Sequence, residues 1–137
     1  MAAFNKFNSF VVQLGSKTMN LTSDSLFIME TNTAPVATNT VYANLVDLTT
    51  GNGYTAGGTV VGSTSWTGSS GIATLSGSNV VFTASGGTIG PFRYSVIYDE
   101  TASGGPLAGW WDYGASVTLN SGDTFTINLS SNIATLQ

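Results

Sequence analysis

The chain predicts an all-β protein, an antiparallel β-sandwich or barrel-like single domain with one short N-terminal helix. Two observations carry this reading. From Ser25 onward, short apolar or alternating runs are separated by Gly, Asn, Ser and Pro turns about every 8–12 residues, the rhythm of a sandwich or barrel. Helical spacing is plain only at the start, so the expected organisation is a helical arm over 1–22 and a β-domain over 23–137. With 42% hydrophobic and 11% aromatic residues, the chain is too apolar to remain disordered despite its 17 glycines.

Phe4, Phe7, Val11 and Leu14 recur at helical spacing, and Phe10 widens that apolar face. Gly15 is the expected C-cap, with Lys17 near the negative end of the helix dipole. This helix either covers one end of a sheet or docks on a neighbouring subunit. Ser25–Glu30 reads as a buried strand, and Pro35 ends any continuation. Val41–Leu48 fits a helical turn and a strand equally well. Gly51–Gly58 superficially resembles a phosphate loop. It lacks the terminal Lys-Ser/Thr and the strand-to-helix setting, so its glycines serve turns and Tyr54 anchors the loop.

A strand is expected from Gly58 toward Trp66. Ile72–Leu75 and Val80–Thr83 read as a hairpin across Ser76–Asn79. Phe92–Asp99 alternates, with Phe92, Tyr94, Val96 and Tyr98 on one face and Arg93, Ser95, Ile97 and Asp99 on the other. Leu107–Tyr113 is its expected partner. Val117–Leu119, Phe125–Leu129 and Ile133–Leu136 complete the strands, and there is no internal repeat.

Charge is the scarcest commodity in the sequence. Three basic and seven acidic residues make up 7% of the chain, against about 25% in ordinary domains, and there is no His and no Cys. Most nucleophilic and acid–base mechanisms draw on those residue types, so no catalytic residue, cofactor or metal is expected and the protein reads as no enzyme. Asp99, Glu100, Asp112 and Asp123 show neither calcium-loop spacing nor a recognisable glycosidase pair; adjacent Asp99 and Glu100 read as a solvated turn. A net charge of −4 with only Lys6, Lys17 and Arg93 excludes nucleic acid and an electrostatic membrane anchor. The opening residues have no signal-peptide architecture, so synthesis in a cytoplasm is expected.

Two constellations remain. Arg93, the only arginine, lies in a strand and needs an acceptor; Asp112 on the neighbouring strand is the expected ion-pair partner, with an acidic group on a partner protein as the alternative. Adjacent Trp110 and Trp111 point to opposite faces, so one ring is expected outside the core. That ring marks a protein interface, packs under a loop or stacks on a sugar. The candidate interface is therefore Phe4, Phe7 and Phe10 with Trp110 and Trp111.

The opening helix with Asn20-Leu21, the loop Gly51-Asn52-Gly53-Tyr54 and the strand Phe92-Arg93-Tyr94 through Val96-Ile97-Tyr98-Asp99 occur in that order. Gly109-Trp110-Trp111-Asp112-Tyr113-Gly114 and Gly122-Asp123-Thr124-Phe125 follow. In this order they resemble small virion structural proteins of tailed bacteriophages. The resemblance implies a non-enzymatic virion component made in the host cytoplasm. The first expectation is a capsid decoration (cement) protein, a trimer or dimer bridging copies of the major capsid protein. A tail, collar or fibre component, including a carbohydrate- or receptor-binding β-sandwich module, is the alternative.

Overall fold

The computed structural model describes residues 2–137. Its first half contains β1 (Asn5–Lys6), α1 (Ser9–Gly15), β2 (Leu26–Thr31), a 3-10 turn (Tyr42–Asn44), β3 (Thr59–Val60) and β4 (Ser65–Ser69). There follow β5 (Ile72–Ser76), β6 (Val80–Thr83), β7 (Ile89–Asp99), β8 (Leu107–Leu119), β9 (Thr124–Ile127) and β10 (Ala134–Leu136). The protein is mostly β, and its antiparallel sheets pack as a sandwich-like domain. A five-stranded sheet runs β1-β8-β7-β2-β3, a three-stranded sheet β10-β5-β4, and a ribbon pairs β6 with β9.

One long hairpin organises the molecule. β7 and β8 pair from Tyr98↔Leu107 near the turn to Ile89↔Leu119 at the far end. There both strands turn a corner, held by Ala84 N–H to the Asp123 carbonyl and Gly122 N–H to the Ala84 carbonyl. Beyond it, β6 and β9 continue as a pair, from Thr83↔Thr124 to Val80↔Ile127. The ribbon thus folds back over β7 and β8. Apolar side chains drive that closure: Phe82, Ile89, Phe92, Leu119 and Ile127 share one core with Leu26, Ile28, Ile97 and Trp111.

Several expectations are corrected. The helix is shorter than its apolar spacing implied: Phe4 and Phe7 precede it, because Asn5 and Lys6 pair with Trp110 and Gly109 as an edge strand. Its last turn closes through Lys17, at φ 64°, and not through Gly15. Val41–Leu48 forms a 3-10 turn with a single bridge from Val41 to Pro106. The expected 72–83 hairpin does not form: β5 pairs with β4 and β10, and β6 pairs with β9. A register shift between Phe92 and Tyr94 breaks the alternation of β7, so Phe92 enters the main core while Val96 and Tyr98 face the other side.

That other side carries a second, smaller core of Phe7, Met29, Val96, Tyr98 and Leu107, edged by Phe27, Tyr42, Leu45 and Trp110. Chain from the 31–58 connection and the N-terminal arm covers it. The five-stranded sheet is therefore packed on both faces. Gly58 makes one of these approaches close. At φ +86° it lies so near β2 that a Cβ would sit 1.9 Å from the Ile28 carbonyl oxygen.

Candidate interaction surface

The N-terminal arm is tied into its own chain. Phe7 and Phe10 are buried, and Phe4 is half-buried against Trp111, edge to face at 5.3 Å. A side chain at Gly109 would strike the Phe4 ring at 2.2 Å, so glycine is what lets the arm lie across β8. Phe10, Met19 and Leu21 all join the main core, which leaves residues 1–22 without a core of their own. Trp110 and Trp111 do point to opposite faces, but neither ring is free. Trp111 is in the main core, and Trp110 packs on Phe7 with ring centroids 4.6 Å apart. The expected outward tryptophan, Trp110, is half-buried because the sheet has a core on each side. What α1 leaves exposed is Val12, at 68%.

Arg93 and Asp112 meet in a bidentate pair, Nε to Oδ1 at 2.7 Å and Nη2 to Oδ2 at 3.0 Å. Asp112 Oδ1 also accepts from the Gly114 N–H at 2.8 Å. Arg93 and that N–H hold the Asp112 carboxyl below its usual range, and the Arg93 guanidinium is raised in turn. Both side chains remain more than a third exposed, so the pair orients β8 more than it stabilises the fold.

Three further carboxylates are consumed inside the fold. Asp47 accepts from the Tyr42 and Tyr54 hydroxyls at 2.5 Å each, from the Leu48 N–H at 2.7 Å and from the Gly57 N–H. Tyr54 in turn accepts from the Glu30 N–H at 3.0 Å, and the Tyr98 hydroxyl donates to the Gly57 carbonyl at 2.6 Å. Burial, with Asp47 beside them, raises the Tyr42 and Tyr54 hydroxyls; burial first and Asp47 second push Tyr98 up to about 12. Glu30 is fully buried, and the Ser95 hydroxyl lies 2.9 Å from both of its carboxyl oxygens. Desolvation lifts the Glu30 carboxyl well above the usual range against the opposing Ser95 bond.

Asp99 is buried as well, contrary to the expected solvated turn. Its Oδ1 accepts from the Thr101 and Ala102 N–H groups at 3.0 and 3.1 Å. Desolvation and the neighbouring Asp24 carboxyl push it up to about 6. The exposed charges left over are Lys6, Lys17, Glu100 and Asp123. An already charge-poor sequence thus folds into a surface poorer still.

That neutrality coincides with open sheet edges. β4 is the last strand of its sheet, and β6 and β9 each lack a second neighbour. β8 pairs on its outer side only at Gly109 and Trp110, leaving Trp111–Leu119 without a strand partner there. Edge strands are ordinarily protected by inserted charge, especially lysine. β4, β6 and β9 contain no charged residue, and the one on β8 is Asp112, held by Arg93.

A cavity of about 310 Å³ opens inside the fold of the long hairpin, between Ser95 and Trp111 on one side and Phe125–Asn128 on the other. Sequence reasoning named neither Glu30 nor Asp47. Glu30 had a readable signal, since it shares strand parity with Leu26 and Ile28 and so faces the core. Asp47 had none, because its partners come from an irregular connection. Among the described residues, no cluster of three or more potential metal ligands occurs, and no helix is long and apolar enough to cross a membrane. Comparison of the chain with protein-family models, with curated proteins and with solved structures finds no match.

Proposed function

We propose that this protein is a non-enzymatic structural component of a phage virion, a capsid decoration protein that bridges neighbouring shell subunits. The observation that carries this reading is the set of unpaired strand edges on β4, β6, β8 and β9, whose one charged residue, Asp112, is held by Arg93. A freely diffusing protein with such edges is poorly protected against strand pairing; one whose edges are covered in an assembly has no such problem. Apart from Asp112, which Arg93 holds, the residues in these strands are Thr, Ser, Gly and apolar or aromatic side chains. Backbone pairing and apolar contact through them lose little strength to salt, which suits a clamp on a shell.

The sequence resemblance supports the virion setting. Binding of the purified protein to bare phage shells tests the proposal by co-sedimentation. The protein should pellet with the shells and remain bound in 1 M salt. Failure to bind shells at any salt concentration overturns it.

A further inference from the structure

We propose that the cavity inside the folded hairpin is a binding site for one neutral saccharide ring. The cavity sits where the β6–β9 ribbon folds over β7 and β8, and its volume of about 310 Å³ lies at the small end of ligand pockets. Its walls have the two textures a sugar needs. Trp111 and Phe125 form an apolar side, continued at the mouth by Tyr113, which is 60% exposed and leans edge-on against Phe125 at 5.2 Å. A pyranose presents a C–H face that suits such rings.

The polar side is Ser95 and Asn128. Ser95 is the unusual member, because its hydroxyl is paired with the buried Glu30 carboxyl at 2.9 Å. The hydroxyl donates its proton to that carboxyl, so its lone pairs stay available. Ser95 can therefore accept from a sugar hydroxyl.

Among the described residues, which add Ala2 to those named above, no charged side chain lines the cavity. A charged ligand entering it would lose hydration without gaining a counter-ion. A pure hydrocarbon would leave the hydroxyl and amide side unused. The ligand class the walls match is therefore neutral, hydroxylated and ring-shaped. This inference does not rest on the assembly reading, and the two fail separately.

Saturation-transfer NMR on the full chain, against glucose, galactose, mannose, N-acetylglucosamine, glucosamine and glucuronic acid, tests it. At least one neutral sugar should receive saturation. The transfer should fall several-fold in Ser95→Ala, which removes the hydroxyl of the polar wall. It should weaken likewise in Tyr113→Ala and persist in Val12→Ser, with circular dichroism confirming the fold of each variant. Silence from every neutral sugar, binding of glucosamine or glucuronic acid alone, or transfer unchanged in both Ser95→Ala and Tyr113→Ala with the fold intact overturns the proposal.

Discussion

Tyr54 donates a 2.5 Å hydrogen bond to Asp47 while its own oxygen accepts from the Glu30 N–H, so one buried hydroxyl joins the glycine loop to the central sheet. Asp47 collects the Tyr42 hydroxyl and the Gly57 N–H at the same carboxylate. The long, irregular 31–58 connection is held by this hub in place of regular strand pairing.

Tyr54→Phe keeps the ring but removes the bond to Asp47 and orphans the Glu30 N–H. It should cost roughly 1–3 kcal/mol in urea unfolding at pH 7. Asp47→Ala orphans several donors at once and should cost more than Tyr54→Phe. Equal stability of wild type and Asp47→Ala would show that the hub does not hold the loop.

Stability should rise as pH falls from 7 toward 5. Glu30 and Asp99 have folded pKa values raised above their unfolded ones, Asp99 to about 6. The folded state therefore binds protons more tightly, and the advantage present at low pH is lost as pH climbs through the raised values. Asp112 acts oppositely: its lowered carboxyl favours the fold above the usual carboxylate range and gives that up only as pH falls below it. Tm measured from pH 4.5 to 8 should decline with pH. Glu30→Gln and Asp99→Asn, which keep acceptors for Ser95 and for the 101–102 amides, should flatten the decline.

The arm and the helix should separate cleanly in mutagenesis. Phe7→Ala empties a fully buried site and should cost about 3–5 kcal/mol. Val12→Ser, on the exposed face of α1, should change stability by less than about 0.5 kcal/mol. Chemical denaturation of the two variants checks both values.

Charge placed on the open edges should leave the monomer folded and block its contacts. Thr67→Lys on β4 and Thr118→Lys on β8 are both exposed positions of strands with an unpaired side. Each should keep a Tm close to wild type yet reduce shell binding at least several-fold in co-sedimentation.

Alternation and turn chemistry made the β class, most strand positions, the β7–β8 pairing and the Arg93–Asp112 contact legible in the chain. The misreadings share a cause. Phe4 and Phe7 have helical spacing, but β8 offered Asn5 and Lys6 strand pairing, and tertiary contact overrode the local pattern. The 72–83 hairpin failed because the folded ribbon recruits β6 to β9, a partner more than forty residues away. Phe92 changed sides at a register shift that no single strand announces. Trp110 was obscured by the second core, since one-sided burial is what alternation rules assume. The cavity is built from residues far apart in sequence, which no local pattern brings together.

The proposed role, a virion structural protein present in many copies, is tested most directly by its copy number in purified particles of a phage whose genome carries this sequence. Quantitative mass spectrometry against the major capsid protein gives that number. The account predicts a ratio that is a fixed, sizeable fraction of the capsid protein, as a shell-wide clamp requires. A handful of copies, the size of a ring at the neck or tail, or complete absence from the particle would contradict it.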